Sequence, residues 1–438
     1  MKLILATLIG LWSGHVTASE LNDGEYNFSR ISDKTYLEAK QSTYYVPLNT
    51  KQTNKIEKNI VTIDNMPAIR NLDGKGLCSS CGPAAVIQKM ECDIKNIKDC
   101  NKIPEKDRIN LLGLYAFNDY ASSDVLAAKG GQYNAKDGPK KRKYSPRSAL
   151  DFIGGDPYNI LENVSHASFK LITDNCYPFD QFSNSIDFKH PSIKGLFNVT
   201  KSDAIFDTLE KQYNIAHKKL ITDIPANSRT IDPSIANEMC DNCVAELQSQ
   251  IYEIGKVQEE AKILRAIREE SFPTFLYSAL FSNCYSQLKQ FPEPKKIISF
   301  PEKPTELTYD QIINEITDSL KKQKPVIIRK ICTDISIKDP NLCLGSHSTT
   351  IKGIKEVCEK SNPTKCRKYF QIHECYGQDW HEEYGEWFDA EELISNLVPK
   401  NAERVSITGS AIYPKFPKRT SKDQKILYDS NLLIRLDY

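Results

Sequence analysis

The fold is predicted most directly by residues 78–87, which read CSSCGPAAVI. An apolar run follows Pro83, and proline is favoured in the first turn of a helix because the N–H that it lacks has no acceptor there. The preceding residues, 71–77, read NLDGKGL and are typical of a turn. The sequence therefore predicts a helix that begins near Cys81 and carries this cysteine at its N-terminus.

A cysteine at a helix N-terminus can act as a nucleophile when an imidazolium lies beside it, because both features favour the thiolate. Residues 345–351 read GSHSTTI, so His347 stands at the start of a β-like run and is the candidate partner. Each residue alone is weak evidence, since most cysteines of an exported protein are half-cystines and most histidines are structural. The prediction of a Cys81–His347 pair depends on further blocks of sequence.

The chain resembles the papain family of cysteine peptidases in five blocks that occur in the family's order. The blocks are CSSC at 78–81, GGDP at 154–157, YPF at 177–179, His347, and ECYG at 374–377 with Trp380. By their order and approximate intervals, the resemblance covers the chain from about residue 63 to residue 395, with one long insertion between the third and fourth blocks. Each block is weak alone, and a motif match is a hypothesis until its structural context is known.

The resemblance implies peptide-bond hydrolysis by a Cys81 thiolate, with His347 as the proton carrier and Glu374 in place of the family's asparagine. A carboxylate can orient the histidine because it accepts the imidazole N–H and favours the charged ring. The backbone N–H of Cys81 would donate to the oxyanion. The family's oxyanion glutamine falls on Lys75, so Lys75 or Asn71 would have to replace a donor whose loss typically costs about 2.7 to 4 kcal/mol.

The resemblance also implies a substrate cleft lined by residues that the family places there. These are Gly154, Gly155, Pro157 and Tyr376. The expected substrate is a peptide or protein. No cofactor and no metal ion is expected, because the two Cys-x-x-Cys pairs are too far apart in sequence for one four-cysteine site and are expected to form disulfides.

The predicted fold class is α+β, with a papain-like two-lobed architecture. Apolar residues at spacings of three and four over 244–264 predict an amphipathic helix, and short runs at 326–328, 349–351 and 369–372 predict strands. The predicted parts are a signal peptide at 1–18, an N-terminal extension or short pro-segment at 19–62, a helical lobe with the nucleophile at 63–195, a helical insertion at 196–290, a β-rich, barrel-like lobe with the histidine at 291–415, and a C-terminal surface tail at 416–438.

The first residues predict export, because a short apolar run after Lys2 ends in small residues at Ala18. The expected location is secreted or periplasmic, and no later stretch is long and apolar enough for a membrane span. The 58 basic and 57 acidic residues nearly balance, so a nucleic-acid partner is not expected. A monomer is expected.

The chain contains 13 cysteines, which is six pairs plus one. This arithmetic suits an exported cysteine enzyme that leaves its nucleophile free. Sequence does not fix the connectivity, but three pairs are close enough in sequence to be predicted as local bridges: Cys92 with Cys100, Cys332 with Cys343, and Cys358 with Cys366.

Two alternative functions remain open. A papain-like scaffold that binds peptides or proteins without cutting them would fit the altered oxyanion position. A thiol–disulfide redox protein would fit the Cys-x-x-Cys spacing at 78–81 and 240–243. The redox site requires a strand immediately before the first cysteine, whereas residues 70–77 favour a turn.

Overall fold

The computed structural model describes residues 55–70, 77–118, 155–177, 199–223, 233–255, 259–268, 272–281, 283–332, 343, 346–378, 381–382, 385–402, 405–407, 410–413, 416 and 418–438. The predicted signal peptide, Asn71, Lys75, Gly154 and Trp380 lie outside these residues. Among the helices of the described residues, none has the length and apolar character needed to cross a membrane.

The described residues form both helices and antiparallel strands, so the prediction of an α+β fold is confirmed. The helices are α1 (Cys78–Ile94), α2 (Leu111–Tyr115), α3 (Pro157–His166), α4 (Val199–Asp223), α5 (Pro233–Met239), α6 (Cys243–Gly255), α7 (Glu260–Ile267), α8 (Phe272–Phe281), α9 (Tyr309–Lys321) and α10 (Ala390–Ser395). The strands are β1 (Lys55–Thr62), β2 (Lys170–Leu171), β3 (Lys289–Gln290), β4 (Lys296–Phe300), β5 (Thr305–Leu307), β6 (Val326–Cys332), β7 (Ser346–Glu359), β8 (Asn362–His373), β9 (Trp387–Asp389), β10 (Val405–Ile407), β11 (Ser410–Ile412), β12 (Ile426–Tyr428) and β13 (Leu433–Asp437).

A seven-stranded antiparallel sheet organises the molecule, in the order β4-β13-β6-β7-β8-β9, with β1 also paired to β7. The three strands expected at 326–328, 349–351 and 369–372 are β6, β7 and β8. The sheet of the described residues is not closed into a barrel, so the barrel-like part of the prediction is not met. The expectation of a C-terminal surface tail at 416–438 is wrong, because β13 is a central strand that pairs with both β4 and β6.

The two faces of the sheet bury two different hydrophobic clusters, as the alternation of side chains along a strand requires. Ile327 and Ile434 point into a cluster shared with α1 and the other helices of the first two-thirds of the chain. Ile328 and Leu433 point into a cluster shared with α9 and α10. Helix α1 packs directly on β6, where a Cβ on Gly82 would lie 3.1 Å from Ile327.

The predicted insertion at 196–290 is helical, and its helices α4 to α8 join the same hydrophobic cluster as α1. A disulfide between Cys176 and Cys284 also connects its far end to the region that precedes it. The single long helix expected over 244–264 is divided in the structure into α6 and α7. The helices of this segment are therefore part of the helical core.

Six disulfides are present, which confirms the prediction of a disulfide-rich chain. Each of the three predicted local bridges is formed. The other three pairs are Cys81–Cys375, Cys176–Cys284 and Cys240–Cys243. This pattern fits an oxidising compartment, while export itself stays a prediction.

Candidate active site

Helix α1 begins at Cys78, three residues before the predicted start. Leu77 is the N-cap residue, and Pro83 lies inside the helix, where it has no N–H to donate to the carbonyl of Ser79. The first turn of a helix has amide N–H groups without a carbonyl one turn earlier. Cys78, and not Cys81, therefore occupies the helix N-terminus.

The predicted role of Cys81 does not fit the structure. Its sulfur is joined to Cys375, so it is not available as a thiolate. Its backbone N–H donates to the carbonyl of Leu77 at 3.2 Å, so this amide is already used and is not free for an oxyanion. The predicted helix start at Cys81 is too late. That prediction assigned Pro83 to the first turn of the helix, whereas Pro83 lies in the second turn of α1.

Cys78 is the free cysteine: all thirteen lie among the described residues, and the other twelve are bridged. The expected count of six pairs plus one free thiol is therefore met, at a different position. Cys78 is partly exposed. The hydroxyl of Ser348 in β7 donates to its carbonyl oxygen at 3.2 Å, which holds the start of α1 against the strand that carries His347.

His347 lies next to a buried carboxylate and near the free thiol. Its Nε2 lies 3.0 Å from Oε2 of Glu374. The charge of Cys78 is one of the influences on the pKa of the ring. His347 is 6% exposed and Glu374 is 2% exposed, so solvent screens this pair little. The predicted pairing of His347 with Glu374 is thus present in the structure.

Sheet register brings these residues together. Thr350 of β7 pairs with His373 of β8, so the residues just before Thr350 face those just after His373. Glu374 follows β8 directly, and the same register continued outward sets residue 347 opposite 376. The antiparallel pairing of β7 with β8 therefore positions both the carboxylate and Tyr376 beside the histidine.

The charge state of His347 is decided by competition between burial and its partners. Burial alone would lower its pKa, but the negative charges of Glu374 and Cys78, together with the hydrogen bond to Glu374, raise the pKa of His347 well above the ordinary imidazole value. Opposite charges at such distances favour the protonated ring. The geometry therefore favours an imidazolium that lies between a carboxylate and a sulfur.

Glu374 is held by its own surroundings. Its Oε1 accepts the backbone N–H of Cys375 at 2.9 Å. Nε2 of the buried His381 lies 3.1 Å from its carbonyl oxygen and 3.3 Å from its backbone nitrogen. The disulfide from Cys375 to Cys81 ties the residue after Glu374 to α1. The disulfide thus cross-links the residue next to the Glu374 carboxylate to the first turn of α1.

Tyr376, predicted to bind substrate, stacks on the histidine. Its ring lies 5.5 Å from that of His347, at an interplanar angle of 12°. A stacked ring covers one face of the imidazole and limits the access of water to the His347–Glu374 bond. Its predicted contact with substrate stays a prediction.

Of the two other predicted cleft residues that the structure describes, Gly155 lies near the start of α1. A Cβ added to Gly155 would lie 2.6 Å from the hydroxyl oxygen of Ser79 and equally close to Oδ1 of Asn118, so a larger residue would force these side chains to move. Pro157 is buried at the start of α3 and does not present an open surface. Gly155 is therefore adjacent to Ser79, the residue after Cys78. Pro157 is buried in the first turn of α3 and has a structural position.

The helix that follows Gly155 is attached to the sheet. Asp156 caps α3 by accepting the N–H of Tyr158 at 2.9 Å. The same carboxylate forms an ion pair with Arg329 of β6, which also donates to the carbonyl of Asn431. Asp156 thus fixes the Gly155 turn relative to the strand next to β7.

A small cavity lies beside the Cys81–Cys375 disulfide. Its lining includes Arg70, Gln88 and His373. His373 is fully buried, and its Nδ1 has no hydrogen-bond partner among the described residues. Burial, with smaller contributions from Lys352 and His381, lowers the pKa of His373 to about 3. His373 is therefore neutral, although it directly precedes Glu374.

Of the predicted site residues, the structure brings together His347, Glu374 and Tyr376. Asn71, Lys75 and Gly154 lie outside the described residues. Cys78 is the functional candidate that sequence reasoning assigned to a disulfide. The signal that could have found it is its own Cys-x-x-Cys motif, in which either cysteine can be the free one.

Among the described residues, no group of three or more histidine, cysteine or acidic side chains is arranged to hold a metal ion. No family model matches the sequence, and no curated protein matches it at a significant level.

Proposed function

We propose that this chain is a papain-like cysteine peptidase in which Cys78 is the nucleophile, His347 the proton carrier and Glu374 the residue that orients the histidine. One observation carries the proposal. The single thiol left free by six disulfides belongs to Cys78, whose backbone is bonded to Ser348 next to the buried His347, and Nε2 of this histidine meets a buried carboxylate. A nucleophile, a base and an orienting group in series form the arrangement used for covalent acyl transfer.

The proposed reaction has two steps. The Cys78 thiolate attacks the carbonyl carbon of the scissile bond, and the proton on His347 moves to the leaving amine, which gives a thioester. His347 then takes a proton from water as the resulting hydroxide attacks the thioester. The tetrahedral adduct collapses to the carboxylic acid and Cys78 leaves as a thiolate, so the protonated His347 and the thiolate of the starting state are restored. The proposed donors to the developing oxyanion are the N–H groups of Cys78 and Ser79, because those of Ser80 and Cys81 already donate to the carbonyl of Leu77.

The position of Cys78 changes the comparison with the papain family. There the second cysteine of the motif attacks, whereas here that residue is bridged. Counting six residues back from Cys78 gives Leu72, so the family's oxyanion glutamine has no counterpart in this register either. Two neighbours support the proposal. Gly155, from the second motif block, lies against Ser79, the residue after the proposed nucleophile. Tyr376, from the fifth block, stacks on His347.

The test is selective labelling of the non-reduced protein with iodoacetamide at mildly acidic pH, followed by tryptic mapping. Cys78 should react faster than a free thiol such as glutathione, and the label should fall on Cys78 in the peptide 76–89. Peptide-library cleavage should be lost in Cys78→Ser. The matched control is the double variant Cys358→Ser with Cys366→Ser, which removes a bridge in the β7–β8 hairpin and should keep cleavage.

Three results would change the assignment. Labelling of Cys78 no faster than glutathione would remove the nucleophile. Cleavage by Cys78→Ser at the rate of the unchanged protein would do the same. Fast labelling without cleavage of any library peptide would favour the non-cutting, peptide-binding scaffold.

A further inference from the structure

Cys78 lies one helical turn from one end of a disulfide. Residues three apart in an α-helix have Cα atoms about 5 Å apart, which is inside the range of about 4.4–6.8 Å that a disulfide spans. The same chain closes such a Cys-x-x-Cys bridge elsewhere: Cys240 and Cys243 are paired across a Cα separation of 5.4 Å. A Cys78–Cys81 bridge is therefore within reach of the first turn of α1.

Cys81 is the common partner of two possible bonds. In the structure it is joined to Cys375, 294 residues later in the chain. Cys78 is the free thiol one helical turn away from it, and disulfide exchange proceeds by attack of such a sulfur, as thiolate, on a disulfide. The three sulfurs thus include one nucleophile, one central sulfur and one leaving group.

We propose that Cys78, Cys81 and Cys375 form an exchange switch with a latent and an active state. In the latent state Cys78 is bonded to Cys81, and Cys375 is a thiol. In the active state Cys81 is bonded to Cys375, and Cys78 is free. As regulation of the active site, this rests on the proposed peptidase function; as thiol chemistry, it can be tested without it.

The exchange needs no external oxidant or reductant. To activate, the Cys375 thiolate attacks the sulfur of Cys81, the Cys81–Cys375 bond forms and the Cys78–Cys81 bond breaks. Cys78 leaves as a thiolate next to the protonated His347, and the proton lost by Cys375 goes to solvent. One disulfide and one thiol group are present before and after the step.

Chain synthesis favours the latent bond first. Closing a loop of 3 residues loses less conformational entropy than closing one of 294, so in an unfolded chain Cys81 meets Cys78 more often than it meets Cys375. Cys375 reaches Cys81 only after β7 and β8 have paired and brought Glu374 to His347. Cys78 is therefore released from its bond to Cys81 only when Glu374 and His347 have come together.

The test uses Cys375→Ser, which removes the sulfur that attacks Cys81 in the activation step. Purified without reductant, this variant should show Cys78 protected from iodoacetamide. Peptide 76–89 should be two hydrogens lighter than its dithiol form, and a dithiol reductant should restore labelling of Cys78. The matched control, Cys284→Ser, breaks another long-range bridge and should leave Cys78 labelled as in the unchanged protein. Free, labelled Cys78 in non-reduced Cys375→Ser would overturn the proposal.

A second measurement decides the matter if Cys375→Ser does not fold. The reduced, unchanged chain is refolded in a glutathione buffer, quenched with acid at intervals, alkylated and digested. The internally bridged peptide 76–89 should appear first and then convert into the cross-link with peptide 369–400, which contains Cys375. A cross-link that forms with no preceding internal bridge would refute the switch. Because both readouts are masses, a failure of the peptidase proposal would leave them unchanged.

Discussion

Replacement of Glu374 by glutamine separates the charge of this residue from its hydrogen bond. Glutamine keeps an oxygen that can accept the N–H of His347 Nε2, which lies 3.0 Å from Oε2 in the structure, but it removes the negative charge. Hydrogen bonds to charged groups contribute about 1.5–3 kcal/mol and neutral ones about 0.5–1.5 kcal/mol. We therefore expect Glu374→Gln to lose about 1–1.5 kcal/mol, or roughly five- to fifteenfold in the rate of peptide cleavage.

Alanine at this position should cost much more. It leaves the imidazolium of His347 buried without its carboxylate, and removal of one partner of a buried pair costs about 3–5 kcal/mol. The expected order of cleavage rates is therefore unchanged protein, then Glu374→Gln, then Glu374→Ala. A urea titration of each variant would show how much of the loss is lost folding stability.

The pH dependence of the cleavage rate tests the role of the Glu374 charge more directly than the rate at a single pH. The charge of Glu374 raises the pKa of His347, so its removal should lower that pKa. The basic limb of the cleavage profile, where the imidazolium loses its proton, should then move to lower pH in Glu374→Gln. Glu386→Gln is the matched control, because Glu386 bonds to Gln371 and Lys352 and should leave this limb in place. An unmoved limb in Glu374→Gln, or an equal shift in both variants, would refute the assigned role.

Three further predictions concern the surroundings of the site. The pKa of His373 is lowered from 6.5 in the unfolded chain to about 3 in the folded protein. Between these two pH values the unfolded chain binds a proton at His373 and the folded protein does not, so the unfolding free energy falls as the pH is lowered through this window. We expect His373→Asn to reduce the acid slope of the unfolding free energy by about 1.4 kcal/mol per pH unit in that window, measured by urea titration. Tyr376→Ala should slow cleavage about two- to tenfold by uncovering His347, whereas Tyr376→Phe should retain the stacking and most of the rate. Asp156→Ala should lower the unfolding free energy by about 1–3 kcal/mol, because it removes a helix cap and leaves Arg329 unpaired.

These three predictions fail on distinct results. An unchanged acid slope in His373→Asn would mean that another group takes up the proton. Equal rates in the alanine and phenylalanine variants at position 376 would exclude a stacking contribution. If Asp156→Asn, which keeps the cap but not the charge, were as unstable as Asp156→Ala, the cap would contribute nothing.

The sequence could predict His347 and Glu374 because each belongs to a block whose place along β7 or β8 can be inferred from local pattern. It could not choose between Cys78 and Cys81. That choice depends on Cys375, which is brought to Cys81 only by the folded sheet. The helix start was misplaced for a related reason, since the preference of proline for a first turn is a tendency that tertiary packing overrides at Pro83.

The last strand was missed because its pattern is short and mixed. Residues 433–437 read LIRLD, in which a basic and an acidic residue interrupt the apolar run. A local reading assigns such a stretch to the surface. Its burial follows from pairing with β4 and β6, which are distant in sequence and contribute no local signal.

The central place of β13 has a consequence for biosynthesis. Strands β4 and β6 leave the ribosome about a hundred residues before the segment that lies between them, so the sheet has a gap until Leu433–Asp437 has emerged. During that interval two hydrophobic strands expose unpaired edges, which are sites of misassociation between nascent chains. Chains that stop before residue 433 should therefore accumulate as aggregates, and the yield of intact protein should depend on chaperones that cover these edges.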